Sequence, residues 1–206
     1  MAQYFYPNIW GHVMLKATEE AIGEAELAAI LNTAKISQYI NKYPPEDLKK
    51  EFPFEHIGLL WQVIYQRYGS QEAYAIAKSA GYGSFQAGLK KFESFARASS
   101  SVTKRIASLE TRAKLGLKTF ASYFQMLSDE KVIVDEDEDH WYWRITLCPM
   151  CWGWKAQEPV CYLAVATLEA AFEWVSDGLH YDIAETECIA QGGKHCVVAI
   201  NKKPVG

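Results

Sequence analysis

The chain has 206 residues, half of them hydrophobic, and a formal net charge of −4 at pH 7, which suits one domain with a substantial core and no staples. A mildly acidic chain is not a default nucleic-acid binder, and no apolar run reaches the roughly 18 residues that cross a bilayer. Met1 to Trp10 has no basic segment and no small-residue cleavage site, so no signal peptide is expected; a cytoplasmic location follows, where disulfides are rare and cysteines serve as metal ligands or free thiols.

Residues 1–17 are aromatic and read as irregular. Residues 18–42 read as a helix, with Leu27, Ile30, Leu31 and Ala34 at i, i+3, i+4, i+7 and Pro44-Pro45 as the stop. Phe52-Pro53-Phe54 reads as a short extended connector, because the residue before proline avoids the helical region. Three helices are predicted next, at about 55–67, 71–80 and 84–97. Leu60, Val63 and Ile64 face one way on the first, and Phe85, Leu89, Phe92 and Ala96 on the third. Gly69 and Gly81 are placed at helix ends.

The spacing of Val102, Ile106, Leu109, Ala113, Leu117, Phe120, Phe124 and Leu127 predicts a helix over 101–127, about 40 Å long. Its Lys104, Arg105, Arg112, Lys114 and Lys118 read as a solvated face. The period then changes from 3.6 to 2. Lys131–Val134 and Trp141–Leu147 read as strands, the second with Trp141, Trp143, Ile145 and Leu147 on one face. The acidic run Asp135 to Asp139 joins them as a turn, and lacks the glycine and distal glutamate of a calcium loop. Residues 159–177 return to helical spacing. His180–Ala190 and Cys196–Asn201 read as strands around the tight turn Gly192-Gly193. The order indicates an α+β fold: N-terminal helices plus a four-stranded antiparallel sheet. The division is a single domain over 1–206, with a helical part at 1–98 and an α/β part at 99–206.

The strongest chemical signal is the crowding of all five cysteines into Cys148–Cys196, with none in the first 147 residues. A soft-ligand metal site explains it; the plain alternative is five small buried hydrophobes. Cys188 and Cys196 sit on paired strands, close to their turn. Glu185 lies three residues before Cys188, an odd offset that points the two side chains to opposite faces unless a bulge intervenes. Cys161 starts the last helix and is a further candidate ligand. Cys148-Pro-Met-Cys151 has zinc-knuckle spacing. A redox reading of that pair lacks its βαβ context. His195 reads as a turn residue. Six candidate ligands thus compete for a four-coordinate ion, and spacing alone leaves the set open. No nucleophile arrangement or phosphate loop stands out, so no catalytic residue is assigned. The high aromatic content points to an enclosed apolar cavity beside the sheet, with Phe85, Trp141 and Trp143 as candidate lining residues.

At Glu185-x-x-Cys188-x7-Cys196, with Cys161 one helix upstream, the sequence resembles the 4-vinyl reductase domain family. It is most similar to its stand-alone, hydrocarbon-binding members. Tyr43-Pro-Pro-Glu-Asp47, Tyr68-Gly69, Ala80-Gly81 with Phe85, and Cys148-Pro-Met-Cys-Trp-Gly153 extend the likeness over most of the chain. The family includes sensor domains of phenol- and xylene-responsive regulators and a protein linked to bacteriochlorophyll synthesis. The resemblance implies a fold of the Bet3 (TRAPP-like) type, the ligand-binding fold of nitric-oxide signalling and Golgi transport, and a habit of dimerising. It also implies a structural zinc held by Cys161, Glu185, Cys188 and Cys196. This chain adds Cys148 and Cys151 as alternative ligands, most simply with Cys188 and Cys196. The expected function is binding or sensing of a hydrophobic small molecule, aromatic or tetrapyrrole-like. The alternatives are an enzyme or accessory factor of tetrapyrrole metabolism, and a ligand-free dimeric scaffold.

Overall fold

A computed structural model describes residues 3–91 and 108–205. The N-terminal segment is not irregular. Strand β1 (Phe5–Pro7) leads directly into helix α1 (Asn8–Ile22), because Pro7 supplies the extended residue before the first helical turn. Buried Met14, Leu15 and Ala17 give α1 its inner face. The helix read over 18–42 is in fact the end of α1 and helix α2 (Glu24–Thr33), separated by Gly23 at φ +87°. Helix α2 stops well before Pro44. Ala34 caps it, Lys35 turns left-handed at φ +59°, and the Ile36 and Lys35 N–H groups reach back to the carbonyls of Leu31 and Asn32 at 3.0 and 3.1 Å. That is a Schellman ending with lysine where glycine is usual, so it carries no obvious sequence signal.

The connector at Phe52 is a strand, β2 (Lys50–Pro53), which pairs with β1 as a two-stranded antiparallel ribbon. The three predicted short helices form one long element, α3 (Phe54–Lys91), kinked at Gly69 where φ is +77°. Gly81 does not end a helix. A Cβ there would lie 2.7 Å from that of Ala166, so its role is close approach of α3 to the helix it packs on. Phe92 and Ala96 of the predicted third helix, and Val102, Lys104, Arg105 and Ile106 of the next, lie outside the described residues. Helix α4 (Leu109–Leu127) follows Ser108, whose hydroxyl accepts the Thr111 N–H at 3.2 Å; it buries Ala113, Leu117 and Ala121.

Strands β3 (Val132–Glu136), β4 (His140–Ile145), β5 (His180–Glu187) and β6 (Cys196–Val205) form one antiparallel sheet in the order β3-β4-β6-β5. The fold class read from the sequence is the one observed. In β4, Trp141, Trp143 and Ile145 are buried and the residues between them are not, so one face meets helices and the other meets water. Helix α5 (Tyr162–Val175) covers the inner face through Phe172, whose ring lies 5.7 Å from Trp141 and 5.1 Å from Tyr181. Helix α4 covers its other half, with Phe120 and Phe124 at 5.6 and 5.7 Å from Trp143. Each such side chain contributes about 1.5–3 kcal/mol by leaving water. Among the described residues, no helix is long and apolar enough to cross a membrane.

Candidate metal centre

Register brings the cysteines together. Ile145, the last residue of β4, lies opposite Cys196, the first of β6. The chain leaving β4 therefore starts its loop beside Cys196, and Cys148 and Cys151 are the first thiols on that loop. The loop is pinned from two sides. Gly58 of α3 lies so close that a Cβ there would sit 2.4 Å from the Trp152 carbonyl oxygen. The Ala156 N–H donates to the Ala190 carbonyl at 3.0 Å, and the Gln191 side-chain amide to the Gln157 carbonyl at 3.0 Å. The loop ends at Cys161, which caps the N-terminus of α5.

The strand β5 supplies the remaining donors. Its ladder to β6 shifts register between Glu185 and Glu187. This bulge removes the odd-offset problem. One extra residue reverses the alternation, so Glu185 and Cys188 both face the cluster. The turn back to Cys196 is a single 3-10 turn at Ile189–Gln191, followed by Gly192 in the left-handed region at φ +96°. Gly193 is needed for closeness: a Cβ there would meet the Cys188 carbonyl oxygen at 2.8 Å and the Glu187 Cγ at 2.7 Å.

All five cysteines are buried and unbridged. The Sγ atoms of Cys148 and Cys161 are 3.4 Å apart, those of Cys151 and Cys196 3.4 Å, of Cys161 and Cys196 3.5 Å, and of Cys196 and Cys188 4.0 Å. Two four-donor groups result, each with its ligand atoms within 4.8 Å of one another: Cys161, Glu185, Cys188 and Cys196; and Cys148, Cys151, Cys161 and Cys196. The first is the set the family resemblance implied. The second differs from the sequence-based alternative: Cys148 and Cys151 group with Cys161 and Cys196, not with Cys188 and Cys196.

The donor set fits a thiophilic divalent ion. A tetrahedral site with metal–sulfur bonds of about 2.3 Å has sulfurs about 3.8 Å apart, within a few tenths of an ångström of the spacings here. One oxygen of Glu185 accepts the Cys161 backbone N–H at 2.8 Å, while the other is buried without a hydrogen-bond partner. A buried carboxylate oxygen left unpaired is costly, and a cation beside it removes the cost. The Ile189 N–H points at the Cys196 sulfur at 3.3 Å, a contact that favours thiolate. Burial alone works against ionisation: it raises the Glu185 carboxyl, pushes the Cys148 thiol up to about 11 and raises Cys161 well above the usual thiol value. The neighbouring thiols hydrogen-bond to Cys151 and lower it. A bound divalent cation reverses the burial effect for every ligand it touches.

His195 lies in the turn before β6, where its N–H contacts Glu187 Oε1 at 3.2 Å; it joins neither donor group. The candidate pocket residues separate. Trp141 packs against Phe172 under α5. Trp143 and Phe85 belong to one ring array, linked through Phe120, that continues to Trp174 and, through Phe124, to Trp10. Two concavities among the described residues have other linings than Phe85, Trp141 or Trp143. The larger, about 430 Å³, is an open cleft at the β3 edge lined by Tyr4, Gln125, Glu130, Ile133 and Thr146, among others. The rings of Phe85 and Trp143 both pack on Phe120, and that of Trp141 on Phe172.

Compared with solved structures, the chain has the fold of H-NOX proteins. A Fe(II) unliganded H-NOX protein from K. algicida matches with a TM-score of 0.62 at 11% identity, covering 97% of each chain. An oxygen-binding H-NOX domain related to soluble guanylate cyclases matches at 0.55 and 12%, over 94% of each. An H-NOX protein from S. oneidensis in the Fe(II)NO ligation state matches at 0.53 and 12%, over 95% of this chain and 99% of that one. At such identities the likeness is one of fold. Within that fold, residues 141–202 match the family model of the 4-vinyl reductase domain. That span, from β4 to β6, holds all five cysteines, and the match agrees with the family resemblance read from the cysteine motif. No curated protein matches the chain.

Proposed function

We propose that this chain is a zinc-containing protein that binds or senses a hydrophobic small molecule, and that the zinc is structural. The observation that carries this is the buried cluster of five thiols with an unpaired Glu185 oxygen facing them. Three sulfurs and a carboxylate close a tetrahedral site and leave no position for a reactive water. The ion would tie the loop after β4, the start of α5 and the β5–β6 turn to one point. Helix α3 packs on both α5 and that loop, so the chain is read as one folding unit and the site as its clamp. The match to the 4-vinyl reductase domain supports the sensing class. The fold points the same way, since one H-NOX neighbour is described as oxygen-binding and another through its heme. The half-buried rings of Trp10, Phe120 and Phe124 beside Trp143 and Phe85 offer the apolar wall for an aromatic ligand.

Native mass spectrometry of the purified chain tests both halves. We expect bound zinc, lost in Cys196→Ser together with several degrees of melting temperature. Full metal retention in Cys188→Ser and Cys196→Ser alike removes the zinc assignment. For the ligand, tryptophan fluorescence titrated with toluene should change saturably; an unchanging signal removes the aromatic-binding assignment.

A further inference from the structure

The two donor groups overlap, and the overlap has a chemical meaning. Both contain Cys161 and Cys196, whose sulfurs are 3.5 Å apart. Cys148 and Cys151 complete one group, and Glu185 and Cys188 the other, while the six donors do not form a single group. Two tetrahedra sharing one edge have this arrangement. We propose that the cluster holds two zinc ions bridged by the thiolates of Cys161 and Cys196, the second ion bound by Cys148 and Cys151. This rests on the zinc assignment above and adds a second ion to it.

One ion cannot satisfy the cluster. In the Glu185 group it leaves Cys148 and Cys151 as buried thiols, each 3.4 Å from a sulfur that is already a ligand. In the Cys148 group it leaves Glu185 with a buried oxygen unpaired. Two ions use every donor. With metal–sulfur bonds of about 2.3 Å and a shared edge of 3.5 Å, the ions lie about 3 Å apart, a spacing that bridging thiolates hold against the mutual repulsion of the cations.

Charge also balances. One zinc with three thiolates and a carboxylate carries a net −2, beside two neutral thiols. Adding a second zinc and removing the protons of Cys148 and Cys151 brings five thiolates and one carboxylate against two divalent ions, again −2. The step takes up one Zn²⁺, releases two protons to solvent and changes no oxidation state. Position favours it as well: Cys161 sits at the N-terminus of the 14-residue helix α5, where the helix dipole supports the anionic sulfur that must bridge.

The test is metal stoichiometry on the full chain. Apoprotein titrated with Co²⁺, followed by the thiolate-to-cobalt charge-transfer band, should reach its endpoint at two equivalents, and elemental analysis of the zinc-loaded protein should give two zinc per chain. In Cys148→Ser/Cys151→Ser both values should fall to one, with the chain still folded by circular dichroism. Weakly buffered wild type should release two more protons than the double variant on zinc loading. If that variant does not fold, the wild-type endpoint decides. One equivalent in wild type overturns the second ion and leaves the first; no bound zinc overturns both. Iron with acid-labile sulfide overturns both in favour of an iron–sulfur cluster.

Discussion

Among the described residues, Glu130 is a buried acid outside the thiol cluster, and replacing it by glutamine should change how stability depends on pH. It lies between α4 and β3, 3% exposed, with its N–H on the Ser128 hydroxyl at 3.1 Å and its carboxyl accepting the Tyr6 hydroxyl. Burial pushes the carboxyl up to about 8 from 4.5, and raises Tyr6 well above its ordinary value, aided by Glu130 itself. The folded state therefore keeps a proton that the unfolded chain has released. The resulting stability is complete below about pH 4.5 and is lost as pH rises through about 8. Each pH unit inside that window costs about 1.4 kcal/mol, a few kcal/mol in all, and at roughly 2–4 °C per kcal/mol for a chain of this size the melting temperature moves measurably. Glutamine mimics the protonated acid in shape and charge. Urea denaturation of zinc-loaded wild type and Glu130→Gln at several pH values from 5 to 8 should show wild type losing ground steadily as pH rises. Taking the difference cancels His56, which burial lowers and which acts in the opposite direction. A difference between the two proteins that stays flat over that range refutes the reasoning.

Gly193→Ala should weaken zinc binding, read by chelator competition, because its Cβ would meet the Cys188 carbonyl oxygen at 2.8 Å and must move the backbone of a proposed ligand; unchanged affinity would detach the turn from the proposed site. Phe172→Ala should cost about 3–5 kcal/mol in urea denaturation, since the ring is 3% exposed and joins Trp141 to Tyr181. A loss under 1 kcal/mol would mean that α5 is not anchored there. The outer face of α4 leaves Leu115 48% and Met126 66% exposed, with Ile133 on the neighbouring β3 at 53%. Sedimentation should show a homodimer that Leu115→Glu/Met126→Glu disperses, and a wild-type monomer at every concentration would end that reading.

What the sequence determined by itself is local. Trp141, Trp143 and Ile145 at period 2 announce a half-buried strand, and they are its buried face. The helical spacing of Ala113 and Leu117 marks the inner side of α4. Gly192-Gly193 marks the turn, and the crowding of cysteines into Cys148–Cys196 announces a shared thiol cluster. Each of these is a property of neighbours along the chain, where backbone period and steric freedom act directly. The tertiary structure decided which cysteines meet. Cys148 and Cys151 reach Cys196 because Ile145 pairs with it, and Glu185 joins Cys188 because the ladder slips one residue between them. It also decided that Lys35 closes α2 without a glycine, and that the segments at Phe5 and Phe52 pair as strands. Register, bulges and chain crossings are set by the packing of the whole core, and a side chain's position along the chain carries no record of the remote surface it will be pressed against.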